Sequence, residues 1–232
     1  NTKMYISYAK TRFIVFWSKN PQPLIEHLGE LKERGIGCYI QYTLNDYEDE
    51  RLERGVPPLS ERIDTFKKIV DILGKGSVIW RFDPLILTDD INIDTLLKKI
   101  ENIGDQLNGY TEKLVFSFAD IASYRKVAGN LRANNIPYRE WTEEQMTEFA
   151  SKIVALNNNK GWNLKLATCG EKGRYPGVEP NHCIDDELII KMGYHDKTLM
   201  DYLKADIHPM PVRDIFSGEI VLPNNAIVLD DN

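Results

Sequence analysis

The sequence predicts an α/β protein, a partial or complete TIM-like (β/α) barrel with mainly parallel strands. Five short apolar runs alternate with stretches of helical periodicity, an order that gives parallel pairing through right-handed crossovers. Each run ends in polar residues, and parallel α/β folds bind ligands beyond the carboxyl ends of their strands. An open doubly wound sheet is the competing architecture. No Gly-x-Gly-x-x-Gly follows a strand, however, and no phosphate-loop signature occurs.

Phe13-Ile14-Val15-Phe16-Trp17 reads as a first, buried strand, followed by the polar turn Ser18-Lys19-Asn20-Pro21. A helix is expected from Pro23 to Arg34, with proline early, where its missing donor costs nothing, and Gly35 as the stop. Cys38 to Leu44 is the second strand. An acidic loop, Asn45 to Pro58, carries Asp46, Glu48, Asp49, Glu50 and Glu53. It lacks the spacing of a calcium loop and reads as a solvated flap, although loops of this length are often functional. Ser60 is the expected cap of a helix to Leu73, whose Ile63, Phe66, Ile69, Val70 and Leu73 form one apolar stripe, with Gly74 ending it.

The third strand, Ser77 to Leu87, is the pivot of the chain. Arg81 and Asp83 stand two apart near its end, so their side chains share a face. Pro84 lacks a donor and is expected to close the regular pairing. Leu96, Leu97, Ile100 and Ile103 predict a helix over Ile93 to Leu107. Lys113 to Phe118 is the fourth strand, Ala122 to Asn134 a helix, and Pro137 to Trp141 an extended piece. Thr142 with Gln145 fits a capping box for a helix to Asn157. Leu164 to Thr168 is the fifth strand and ends in Cys169-Gly170-Glu171. Residues 1–192 read as one barrel-like domain and 193–232, with Pro209, Pro211 and Pro223, as an irregular tail.

At 232 residues, 42% hydrophobic and 28% charged, the chain can bury a core in one large domain. A net charge of −6 argues against broad phosphate binding. No apolar run is long enough to cross a bilayer, and no signal segment opens the chain. Three cysteines, an odd number, point to a reducing compartment without a disulfide framework, read as the cytoplasm.

The polar strand ends are Ser18, Lys19, Asn20, Gln41, Thr43, Arg81, Asp83, Ser117, Asp120, Thr168, Cys169 and Glu171. Arg81, Asp83, Lys19 and Glu171 are the candidates for chemistry; Ser18, Asn20, Gln41, Thr43 and Ser117 are candidates for binding substrate. The Arg81 fork could grip a substrate carboxylate or phosphate while Asp83 orients it, or the two could form a structural ion pair. Lys19 is a Schiff-base or anion-binding lysine if desolvated and a solvated one otherwise. Cys169 and Cys183, with Glu171, His182 and Asp185, have the ligand chemistry of a zinc or iron site. Their spacing matches no closed four-ligand knuckle, and a reduced cysteine pair near a site is the preferred reading. Cys38 reads as core, and His27, His195 and His208 have no partner pattern. No Gly-x-Ser-x-Gly elbow is present.

Phe16-Trp17-Ser18-Lys19-Asn20-Pro21, Gln41-Tyr42-Thr43, Trp80-Arg81-Phe82-Asp83-Pro84, Phe116-Ser117-Phe118, Cys169-Gly170-Glu171 and Cys183-Ile184-Asp185 resemble, in order, a bacterial and phage family known as a domain of unknown function. The resemblance runs from Phe13 to Met192. It implies a C-terminal segment with three closely spaced cysteines, similar to that of spore photoproduct lyase. Such a segment suggests an iron–sulfur cluster and radical S-adenosylmethionine-like chemistry in full-length members. It also implies a further opening strand of the type Ser-Ala-Ser-Arg-Arg-Thr-Asp-Ile-Pro. Neither segment occurs in these 232 residues, so no cofactor is expected for this chain alone and a trimmed chain is expected.

These readings lead first to the barrel portion of an iron–sulfur enzyme, radical-type chemistry included, acting on an unknown substrate, a small molecule or a nucleic acid. A barrel that binds a ligand or nucleic acid without turnover is the second hypothesis, and a metal-dependent hydrolase or isomerase using the carboxylates is the third. A membrane partner is not expected, and the sequence does not specify an oligomeric state.

Overall fold

The computed structural model describes residues 9–123, 125–170 and 173–204, and the backbone of 212–213 and 220–221. The fold is α/β, with a six-stranded parallel sheet and seven helices among the described residues. Sheet order is β1 (Phe13–Ser18), β2 (Gly37–Thr43), β3 (Val78–Leu85), β5 (Lys113–Phe118), β7 (Lys165–Thr168), β8 (Glu179–Pro180). β4 (Leu87–Thr88) pairs antiparallel with β6 (Tyr138–Arg139). β9 (Val212–Arg213) pairs antiparallel with β10 (Ile220–Val221). Among the described residues the six-stranded sheet is open, with β1 and β8 at its edges, and does not close into a barrel.

The helices are α1 (Leu28–Glu33), α2 (Leu59–Leu73), α3 (Ile93–Leu107), α4 (Arg125–Ala133), α5 (Glu143–Lys160), α6 (Asp186–Gly193) and α7 (Lys197–Leu203). Local chemistry accounts for the long ones. Asn92 caps α3, its Oδ1 accepting from the Thr95 N–H at 2.9 Å, and Ile93, Leu96, Ile100, Ile103 and Leu107 are buried along one stripe. The Thr142–Gln145 capping box forms at α5, which runs on past Asn157 and ends at Gly161 in the left-handed conformation (φ 64°). No helix among the described residues is long and apolar enough to cross a membrane.

Four expectations are corrected. The Pro23–Arg34 helix is a 3-10 turn, Gln22–His27, continued by the short α1. Ser60 does not cap α2: Pro58 occupies that position without a side-chain bond, and the helix begins two residues earlier than a Ser60 cap would set it. Pro84 disturbs the register between Phe82 and Leu85, yet pairing resumes at Leu85 with Phe118. Residues Lys197–Leu203, expected to be irregular, form α7, since the Asp196 carboxylate accepts from the Leu199 N–H at 3.1 Å.

The chain divides into two compact units. One comprises Asn1–Val15, His27–Tyr39 and Ile184–Asn232, and the other Phe16–Glu26 and Ile40–Cys183. In the described part of the first, the Phe13 and Tyr39 rings lie 6.0 Å apart. The Asp185 N–H donates to the Tyr39 hydroxyl at 2.9 Å, while its carboxylate caps α6. In the second, one sheet face carries Tyr42, Trp80, Phe82, Leu114 and Phe116. Tyr42 stacks on Phe66 of α2 and Phe116 meets Phe149 of α5 edge-on, at 5.6 and 5.4 Å between ring centroids. Burying each such side chain contributes roughly 2 kcal/mol. This face is the helix-covered core.

Candidate functional site

The opposite face of the second unit carries different chemistry. Pairing sets Thr43 beside Arg81, Arg81 beside Val115, and Val115 beside Ala167. With a side-chain period of two, Gln41, Thr43, Ile79, Arg81, Asp83, Val115, Ser117, Ala167 and Cys169 all project to this face. Ile79, Val115 and Ala167 form a buried apolar floor, and the polar members stand at the carboxyl ends of their strands.

Arg81 is the centre of that polar group and is only 5% exposed. Its Nη1 donates to Gln41 Oε1 at 2.5 Å, and its Nε donates to Asp83 Oδ2 at 3.1 Å. Nη2 also donates to Asp83 Oδ2. Burial opposes its charge, but the neighbouring Cys169 and Asp83 outweigh it and hold the guanidinium above its ordinary range. Ser117 Oγ donates to Asp83 Oδ1 at 2.5 Å. Gln41 is fully buried, and its Nε2 donates to the Cys183 carbonyl at 2.6 Å. The two sulfurs, Cys169 Sγ and Cys183 Sγ, lie 4.0 Å apart.

The Arg81 fork is thus spent on a protein carboxylate. What the group presents outward is Asp83, whose side chain is 25% exposed against 6% for that of Arg81. A carboxylate fixed by a buried arginine and a serine, with lone pairs left toward solvent, can accept hydrogen bonds from a ligand, receive a proton or orient a cation.

Beneath Asp83 lies a support that the sequence did not reveal. Asn45 brackets the Asp83 backbone, accepting from its N–H at 2.8 Å and donating to its carbonyl at 3.1 Å. The same Asn45 Nδ2 donates to Glu53 Oε1 at 3.0 Å, and that oxygen also accepts from Lys19 Nζ. Lys19 therefore pairs with Glu53 and is linked to Asp83 only through Glu53 and Asn45. Ser18 and Asn20 make local turn bonds, Ser18 Oγ accepting from the Asn20 N–H at 3.0 Å and Asn20 Oδ1 from the Gln22 N–H at 3.3 Å. Asp120 likewise binds its neighbour Ser123. None of these three joins the Arg81 group in a described hydrogen bond.

The acidic loop is anchored rather than free. Tyr47 is buried, donates to the Pro84 carbonyl at 2.8 Å and accepts from the Ile86 N–H at 3.1 Å. Glu48 accepts from the Leu59 N–H at 2.5 Å. Arg62 is buried under the loop, with carboxylate oxygens of Glu48 and Glu53 at 3.8 and 3.9 Å. Composition reads such a loop as solvated because the buried fraction depends on partners distant in sequence.

Glu171 and His208 lie outside the described residues. Asp185 is a helix cap. Among the described residues no group of three or more His, Cys, Asp or Glu side chains is arranged to hold a metal ion. Cys38 is buried in β2, and burial pushes its thiol from 9.0 up to about 11.

No curated protein matches the chain. A family model does, over residues 1–215, under the description "Domain of unknown function (DUF1848)", and the chain belongs to that family.

Proposed function

We propose that the strand-end group is the active site of an enzyme acting on a small polar molecule, with Asp83 as the group that meets the substrate. One observation carries this reading: Asp83 is the partly exposed end of a chain of bonds through buried Arg81 and Gln41, held on its other oxygen by Ser117. Fixing a carboxylate on rigid strands in this way suits orientation of a donor-bearing ligand or removal of its proton. Arg81, Gln41, Ser117 and Asn45 are positioning residues. Thr43 and Cys169 border the same face.

On this reading the open sheet is a partial barrel, its inner side the face bearing Arg81, and β1 and β8 its free edges. The resemblance noted above supports an iron–sulfur cluster, with S-adenosylmethionine, in longer family members. The described residues offer two neighbouring cysteines and not the three thiolates such a cluster draws on, so they do not fit it by themselves. Three free cysteines support a reducing compartment such as the cytoplasm. The acidic balance weighs against nucleic acid as the substrate.

A ligand-observed NMR screen of small amines, polyols and amides against the reduced protein tests the proposal. Fragments that bind the parent protein and lose binding in Asp83→Asn, but keep it in a surface variant such as Lys152→Gln, support it. Fragments indifferent to Asp83→Asn contradict it.

A further inference from the structure

We propose that Cys169 and Cys183 are a redox-active dithiol that exchanges with low-molecular-weight disulfides and closes into an intramolecular disulfide beside Asp83. Their sulfurs are 4.0 Å apart, so closure to a bond of about 2 Å needs a shift of roughly 2 Å. Cys183 is exposed and Cys169 partly exposed, whereas the third cysteine, Cys38, is buried. Both backbones are anchored at the site. The Cys169 N–H donates to the Phe116 carbonyl at 3.0 Å, and the Cys183 carbonyl accepts from Gln41. Closure is therefore a movement of the side chains, with these backbone bonds kept.

The surrounding charges order the steps. The buried Arg81 guanidinium is the cationic neighbour of this pair. The charge of Cys169, its hydrogen bond and then burial keep the Cys183 thiol above its ordinary range; Asp83 adds to this and Arg81 opposes it. Cys169 gives its proton to water and attacks one sulfur of the external disulfide as the thiolate, the S–S bond breaks, and one thiolate leaves to take a proton from water. Cys169 is then neutral in the mixed disulfide, so its hold on Cys183 lapses. Cys183 gives its proton to water and attacks the Cys169 sulfur, expelling the second thiolate, which takes a proton from water. Two protein thiols are oxidised by two electrons, and one external disulfide is reduced to two thiols. This chemistry does not depend on the substrate reading above.

The test equilibrates the full chain with graded ratios of reduced to oxidised glutathione, then uses alkylation and peptide mass mapping. A Cys169–Cys183 cross-link that forms as the ratio falls, reopens with dithiothreitol and leaves Cys38 free is the expected result. Cys183→Ala is expected to hold a glutathione adduct at Cys169 that resolves at least about tenfold more slowly than in the parent chain. Separate adducts on the two cysteines of the parent chain, or two thiols still alkylatable at the most oxidising ratio, would overturn the proposal. Fragment binding by the reduced protein is measured independently, so failure here leaves the Asp83 reading standing.

Discussion

Asn45 clasps the backbone of Asp83 at both its N–H and its carbonyl, at 2.8 and 3.1 Å, from a loop that begins where β2 stops. This clasp fixes Asp83 beyond the point where ladder pairing becomes irregular, and it is fully buried. Asn45→Ala removes both bonds and strands two backbone groups. A loss of about 2–3 kcal/mol is expected in urea unfolding, with the slope of the transition unchanged. Wild-type stability in this variant would show that the clasp contributes nothing.

Arg81→Met and Arg62→Met should behave oppositely, although both arginines are buried. Arg81 makes close bonds to Gln41 and Asp83, so its loss leaves a carboxylate without its partner. Because Asp83 is partly solvated, the cost is put at about 2–3 kcal/mol. Among the described residues the Arg62 guanidinium nitrogens have no hydrogen-bond partner, and their carboxylates stand at 3.8 and 3.9 Å. Replacing that desolvated charge by Met should change stability by less than about 1 kcal/mol. Thermal unfolding of the two variants side by side checks the contrast, and equal losses would refute it.

Alkaline pH should weaken the fold through Cys38. Its folded thiol titrates at about 11 against an ordinary 9.0, so between these values the unfolded chain has released a proton that the folded chain retains. Stability attributable to this group is whole below pH 9 and falls by about 1.4 kcal/mol per pH unit up to pH 11. Comparing Cys38→Ala with the parent chain across that range isolates the effect. The variant should show the shallower decline; parallel declines would remove Cys38 from the account.

Tyr47 ties the acidic loop to the far side of Pro84 through one hydroxyl that donates to the Pro84 carbonyl and accepts from the Ile86 N–H. Tyr47→Phe keeps the packing against Phe82 and loses both bonds. A cost of about 1–3 kcal/mol is expected, with faster amide exchange at Ile86. Unchanged exchange there would separate the loop from β3.

The parts of the site written in local pattern were legible in the sequence. Arg81 with Asp83, and Gln41 with Thr43, follow from the two-residue period of strands. The α3 bounds follow from an asparagine cap and a regular apolar stripe. Asn45, Glu53 and Tyr47 were not legible, because their roles depend on partners 8 to 39 residues away in the chain. Lys19 read as solvated or reactive for the same reason, its carboxylate lying 34 residues on. Asp185 has the chemistry of a metal ligand in sequence, because an acid near a cysteine looks alike there whether it caps a helix or binds a cation. The cysteine spacing suggested a pair, and only the fold set the sulfurs 4.0 Å apart.

The central claim is that Asp83, presented by Arg81 and Ser117, is where a small polar ligand meets this protein. Crystals of the unaltered, reduced chain soaked with the amine, polyol and amide fragments test it most directly. The account predicts a fragment donor within hydrogen-bonding distance of an Asp83 carboxylate oxygen, with the Arg81–Gln41 and Ser117–Asp83 bonds intact. Fragments that gather elsewhere and leave Asp83 to water alone would contradict it.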